Sequence, residues 1–96
     1  MKNGNGHNQI YFSEVKFKVL KYIKNFIKQY GYSPTCKEIA KAHGYSRSRA
    51  GAICTDLYKM GLINKGDSSH RKIRMTQTQI DSVSNLKFNR EYQAHG

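Results

Sequence analysis

Val19, Leu20, Ile23, Phe26, Ile27 and Tyr30 recur at steps of one, three and four, which predicts an amphipathic helix over residues 13–30. Ser13 stands where an N-cap is needed, since its hydroxyl can accept from the first-turn amides. Phe12 and Phe17 flank that cap at the spacing of a hydrophobic staple, and Gly31 supplies a stop at the far end. Lys18, Lys21, Lys24 and Lys28 fall mostly on the opposite side. They fit a solvated lysine face better than a phosphate-binding stripe.

Pro34 biases Ser33 away from helical angles, and Thr35 with Glu38 three residues later forms a capping box. A short second helix follows, with Ile39, Ala40 and His43 facing inward and Gly44 ending it. A histidine at such a helix end is expected to pack or to cap carbonyls rather than to act as ligand or base. Ser46 then caps a third helix reaching about Met60, with Ala50, Ile53, Cys54 and Leu57 as its inward stripe. Its outward positions are Arg47, Ser48, Gly51, Ala52 and Thr55, with Arg49 near the boundary. After Gly61, residues 62–65 and 71–75 have the character of two short strands, with Ile73 and Met75 alternating inward against Lys72 and Arg74. Gly66, Asp67, Ser68 and Ser69 are turn formers between them, so a β-hairpin is expected with His70 and Arg71 near its tip. Three helices followed by a hairpin make a mainly α chain in the order of a winged helix-turn-helix.

The termini pattern differently. Residues 1–12 begin with a Gly- and Asn-rich run of little apolar content, expected as a flexible tail ahead of a domain at 13–76. Residues 77–96 form a C-terminal extension that fits neither period well. Ile80, Val83 and Leu86 drift around a helical wheel, while Leu86, Phe88 and Tyr92 suit alternation equally. Docking on the domain, dimerisation and mobility all stay open for it.

Charge sharpens the functional class. The 96 residues carry 17 Lys plus Arg against 6 Asp plus Glu, a formal +11. Lys87 and Arg90 balance Asp81 and Glu91 beyond residue 76, so the whole excess lies in the predicted domain and its leading tail. Such a field attracts polyanions, nucleic acid first and an anionic membrane surface second. No apolar run approaches the roughly 18 residues of a membrane span and no signal pattern opens the chain, so a cytoplasmic setting is expected. Cys36 and Cys54 then count as reduced thiols, Cys54 as a small core residue. With His43 and His70 they lack the tight pair spacing that seeds a zinc site, so neither metal nor cofactor is expected. An enzyme is not expected either. A core of about 60 residues buries only roughly 60% of its unfolded surface, and no Ser/His/Asp set, paired carboxylates or Walker loop is present.

The third helix breaks two local rules, and such breaks point to function. Arg47 and Arg49 sit at the positive end of the helix dipole, where a cation is disfavoured by roughly 0.3 to 1 kcal/mol. A phosphate or a guanine edge would reverse that penalty. Gly51 lies inside the helix at a cost of about 1 kcal/mol relative to Ala. Close approach to a ligand or packing on the second helix would each explain it.

Several stretches resemble, in order and spacing, the N-terminal DNA-binding domain of LexA-type SOS repressors. Phe12-Ser13 is similar to that domain's apolar residue and helix cap, and residues 30–35 (YGYSPT) followed by Glu38-Ile39-Ala40 to its TGxxPTxxEIA segment. Residues 57–63 (LYKMGLI) resemble its LxxKGxI, and Arg71-Lys72-Ile73-Arg74 its RGIR. The resemblance covers about residues 12 to 76. It implies that the third helix enters the major groove while the hairpin wing touches the backbone, with Ser46, Ser48, Arg49, Gly51 and Ala52 at the family's DNA-facing positions. One residue fewer separates Gly44 from Ser46 than in the family, Gly51 and Ala52 replace an acidic pair, and Arg47 takes a proline position. The operator sequence therefore does not transfer. The family's self-cleaving Ser/Lys protease domain has no counterpart in these residues, so no autoproteolytic switch is expected of them.

The expected function is a sequence-specific double-stranded DNA-binding regulator of a bacterium or phage. Arg47 and Arg49 are the candidates for base or phosphate contacts. Ser46, Ser48 and Thr55 would offer hydroxyls, and Lys65, Arg71 and Lys72 would grip phosphates from the wing. A homodimer is open, because one module of this size reads a single half-site. The competing expectation is a winged-helix module that binds an acidic protein partner, with nonspecific nucleic-acid binding between the two.

Overall fold

The computed structural model describes residues 12–66 and 71–86. Among them the order is α1 (Glu14–Tyr30), α2 (Cys36–His43), α3 (Arg47–Lys59), β1 (Asn64–Lys65), β2 (Ile73–Arg74) and α4 (Gln77–Asn85). Residues 1–11 of the tail expected at 1–12, and the hairpin tip at 67–70, including His70, lie outside the described residues.

The predicted helix ends are realised atom by atom. The Lys16 N–H donates to Ser13 Oγ at 3.3 Å, and Phe12 meets Phe17 edge-to-face at 6.0 Å. Phe12 therefore belongs to the packed unit rather than to the tail. At Thr35 both halves of the capping box form: the Glu38 N–H donates to Thr35 Oγ1 at 3.0 Å and the Thr35 N–H to Glu38 Oε1 at 2.9 Å. Ser46 Oγ accepts from the Arg49 N–H at 3.0 Å.

The core gathers one stripe from each element. Val19, Leu20 and Ile23 come from α1, Ile39 and Ala40 from α2, and Ala50, Ile53, Cys54 and Leu57 from α3. Ile63 and Ile73 seal it from the hairpin side. The stripe on α1 stops earlier than its periodicity suggests. Phe26 and Ile27 are half-buried and Tyr30 is 52% exposed, because the last turn of α1 runs beyond the short α2 and meets Tyr32 instead.

The hairpin is antiparallel with Asn64 opposite Arg74 and Lys65 opposite Ile73. Its strands are shorter than expected, for a reason visible at the end of α3. Gly61 adopts φ +77°, its N–H donates to Tyr58 O at 3.0 Å, and the Leu62 N–H donates to Leu57 O at 3.1 Å. Those two bonds are the Schellman pair. They spend the Leu62 amide on closing the helix, so the ladder begins only at Asn64. At the outer end the Gly66 N–H donates to Lys72 O. A Cβ on Gly66 would stand 2.8 Å from Arg74 Nε, so a side chain there would displace the exposed Arg74 side chain.

The fourth helix was not assigned by periodicity. A second capping box starts it: the Thr76 N–H donates to Gln79 Oε1 at 2.8 Å and the Gln79 N–H to Thr76 Oγ1 at 3.1 Å. Gln79 Nε2 also donates to Gly61 O at 3.1 Å and to Asn64 Oδ1 at 3.0 Å, tying the helix start to the base of the hairpin. α4 then packs on α1 and buries Val83 to 3% exposure. Of the alternatives open for the extension, docking is what residues 77–86 do; residues 87–96, with Phe88 and Tyr92, lie outside the described residues.

Val83→Ala is expected to lower unfolding free energy by about 2 kcal/mol, the loss of two buried carbons plus residual cavity. Urea denaturation checks it. An unchanged midpoint would mean that α4 contributes no packing to the folded unit.

Candidate nucleic-acid interface

The buried stripe of α3 fixes what its other sides present. With Ala50, Ile53, Cys54 and Leu57 inward, the 100° step per residue puts Ser48, Ala52 and Thr55 at the centre of the outward face. Gly51 lies beside them, and a Cβ built on it meets nothing within 4 Å. Packing on α2 is thus no reason for this glycine. Up to Thr55 the centre of the face is short and uncharged, and Lys59 joins it in the last turn.

Arg47 and Arg49 flank that centre on opposite sides. Arg47 lines a cleft of about 520 Å³ between the start of α2 and the hairpin, together with Pro34, Cys36, Lys37, Tyr58 and Lys72. Among the described residues no acidic side chain lines this cleft, and the positive pole of α2 opens beside it. Arg49 turns the other way, its guanidinium 4.2 Å from the centroid of the Tyr45 ring. Sequence reasoning grouped the two arginines as one basic turn. Helical geometry separates them, since residues two apart point about 200° from one another.

The hydroxyls divide as well. Ser46 is exposed, but its oxygen accepts the Arg49 amide, so its O–H and one lone pair remain for an outside partner. Ser48 and Thr55 are exposed on the open face. On the hairpin, Lys65 and Lys72 are exposed, and Lys72 reaches the same cleft as Arg47.

Arg71 is engaged within the protein. Expected among the wing's phosphate contacts, it turns inward: Nη1 donates to Ser33 O at 2.6 Å and Glu38 Oε1 at 2.8 Å, and Nη2 to Glu38 Oε2 at 3.3 Å. Tyr32 lies beneath the guanidinium at 4.5 Å. An acid and a carbonyl at the α2 start offer in-plane acceptors that a single phosphate contact would have to displace. The hydrogen bonds from Arg71 and the Thr35 amide hold the Glu38 carboxyl below the usual carboxylate range. Sequence reasoning also missed Lys37, Tyr58 and Tyr45. Lys37 lies inside the capping box, between Thr35 and Glu38, and Tyr45 precedes the α3 cap, but neither position signals its neighbours without the fold.

The other candidates for chemistry are structural. His43 Nδ1 lies 2.9 Å from Ile39 O; a carbonyl only accepts, so Nδ1 carries the proton and caps the helix. Cys54 is 2% exposed, and burial, reinforced by the neighbouring Cys36, pushes its thiol up to about 12. Both cysteines are free, and no three His, Cys, Asp or Glu side chains cluster among the described residues. Nor is any described helix long and apolar enough to cross a membrane.

A helix-turn-helix of α2 and α3, backed by α1 and flanked by a two-stranded hairpin, is the architecture of winged helix-turn-helix DNA-binding domains. The chain belongs to the LexA DNA binding domain family, whose sequence pattern matches residues 12–72. It is similar to the LexA repressor of Thermosipho melanesiensis, 36% identical over 67 residues, or 70% of this chain. That match spans 34% of the repressor's own length.

Glu38→Gln keeps a side-chain acceptor for the Thr35 amide but removes the charge facing Arg71, so it is expected to lower Tm at neutral pH. The carboxyl is depressed in the folded state, so its contribution is present above the ordinary carboxylate range and lost as pH falls through the lowered value. The Tm gap between wild type and variant should therefore be full at pH 7 and close on acidification, as thermal melts across pH would record. A gap independent of pH would remove the ion pair as its cause.

Proposed function

We propose that this chain is a sequence-specific double-stranded DNA-binding regulator that lays the Ser48, Gly51, Ala52 and Thr55 face of α3 on the floor of the major groove. The observation that carries this is the open glycine. Gly51 weakens the helix, a Cβ built on it would meet nothing within 4 Å, and the side chains of Ser48, Ala52 and Thr55 around it are short, so the helix backbone can come close to base edges. Arg49 takes the base-reading role on one side, since a guanidinium fork matches guanine O6 and N7. Arg47, with Lys37 and Lys72, takes backbone phosphates along the cleft on the other, and Lys65 extends that track on the wing. The local excess of positive charge, with no lining acid among the described residues, favours a polyanion there. Two copies pairing on a palindromic site would supply specificity that a single half-site lacks, in the cytoplasm of a bacterial or phage-infected cell.

Gly51→Ala is expected to split stability from binding. Helix propensity predicts that the free protein gains about 1 kcal/mol, because the added methyl meets nothing. Binding to the selected duplex should weaken, since that methyl stands between backbone and bases. Thermal melts and titration of a labelled duplex measure the two effects. A variant that is more stable and binds equally well would remove close approach as the reason for Gly51.

Lys72→Ala is expected to weaken binding about equally on all duplexes and to lower the slope of log affinity against log salt by about 0.9. Arg49→Ala should instead cost about 1 to 3 kcal/mol on the selected site and little elsewhere. Salt titrations on a site selected from random duplexes distinguish the two patterns. No duplex binding at low salt would overturn the function proposed here in favour of an acidic protein partner.

A further inference from the structure

Arg49 combines a long side chain with a fixed base, and its direction decides what it can read. Its amide is bound to Ser46 Oγ at 3.0 Å, so its backbone is set, but the side chain has several torsions beyond. The positive pole of α3 repels the guanidinium, and no ion pair or side-chain hydrogen bond among the described residues restrains it. What lies against it is the Tyr45 ring, 4.2 Å away. An aromatic face carries the negative part of the ring quadrupole and attracts a cation laid over it.

The Tyr45 ring is itself backed by α2 directly and by α1 through His43. The Tyr45 N–H donates to Ala40 O at 2.9 Å, which sets its backbone on the end of α2. Its ring stacks on His43 at 5.5 Å and 21°, and His43 is fixed in turn by its bond to Ile39 O. His43 meets Tyr22 of α1 edge-to-face at 5.1 Å and 83°. Tyr22, His43, Tyr45 and Arg49 thus form one continuous stack from α1 to the DNA-facing helix. Stacking occupies the faces of the guanidinium plane and leaves its in-plane N–H groups free for a bidentate contact.

Resting on the DNA-reading role proposed above, we infer that Tyr45 is a positioning residue for specificity: its ring holds the Arg49 guanidinium in the orientation in which it reads a guanine edge beside Ser48 and Ala52. Tyr45 needs no contact with DNA for this. What the stack supplies is the ring face, so Phe serves as well as Tyr and an aliphatic side chain does not.

The test compares wild type, Tyr45→Phe, Tyr45→Leu, Arg49→Ala and the Tyr45→Leu/Arg49→Ala double variant. Each is titrated with the duplex that wild type selects from a random pool and with the same duplex altered at the base pair whose selection is lost in Arg49→Ala. The affinity ratio is expected to stay at the wild-type value in Tyr45→Phe. It should fall roughly ten-fold in Tyr45→Leu, as far as in Arg49→Ala, with no further fall in the double variant. In the free protein, the Arg49 Nε–H proton should carry an upfield ring-current shift that Phe retains. That reading stands even if Tyr45→Leu fails to fold, and an unshifted proton in wild type overturns the inference. A ratio maintained in folded Tyr45→Leu, or equal weakening on both duplexes, also overturns it and leaves the DNA-reading role intact. A wild-type selection that yields a motif indifferent to Arg49→Ala has the same meaning. A selection that yields no motif at all removes the DNA-reading role and this inference with it.

Discussion

The Glu38 carboxylate sits at the joint on which the fold's functional geometry depends. One of its oxygens accepts from the Thr35 amide, closing the capping box that starts α2, and both accept from Arg71 at the root of the second strand. A capping interaction of this kind contributes about 1 kcal/mol to a helix. Here the same carboxylate also fastens the wing to the helix-turn-helix, with Ser33 O as a further acceptor and Tyr32 beneath the guanidinium. The bond spans 33 residues of chain, so it ties together elements that no local rule connects. Because the group is exposed enough to be hydrated, its role lies more in direction than in net stabilisation.

The arrangement of the cleft follows from that joint. With Arg71 drawn inward, Ile73 can seal the core while Lys72 points to solvent beside Lys37 and Arg47. Alternation along the strand turns one residue's inward commitment into its neighbour's outward availability. On the far side of α3, aromatic stacking takes the place that ion pairing takes near the wing. Two cations, Arg71 and Arg49, are each laid on a tyrosine, Tyr32 and Tyr45. Among the described residues only the first also has a carboxylate, so Arg71 is pinned by an ion pair and Arg49 by a ring face.

Small size accounts for the density of caps. A unit of this length has a thin core, and each helix end left unsatisfied would cost a noticeable fraction of a total stability of only about 5 to 15 kcal/mol. Ser13, Thr35, Ser46 and Thr76 each cap a helix, and Gly31, Gly44 and Gly61 each leave one in the left-handed region. The Gln79 side chain extends this economy by capping α4 and binding the hairpin base at once.

The helices through residue 60 and the existence of the hairpin were legible in the sequence, because caps and apolar periodicity are local: Thr35 needs only Glu38 three residues on, and Ala50, Ile53, Cys54 and Leu57 need only the helical repeat. α4 carried the same kind of signal in Thr76 and Gln79, but its apolar positions are too few for periodicity to reveal it. The candidate interface was legible as a list of residues and not as a geometry. Composition marks Arg47, Arg49, Arg71 and Lys72 alike as cations. Only the tertiary structure decided that Arg71 meets Glu38, that Arg47 and Lys72 share a cleft with Lys37, and that Arg49 lies on Tyr45. The physical reason is that a charge's role depends on which acceptors and rings stand within a few ångströms, and those neighbours come from parts of the chain that the local pattern does not relate.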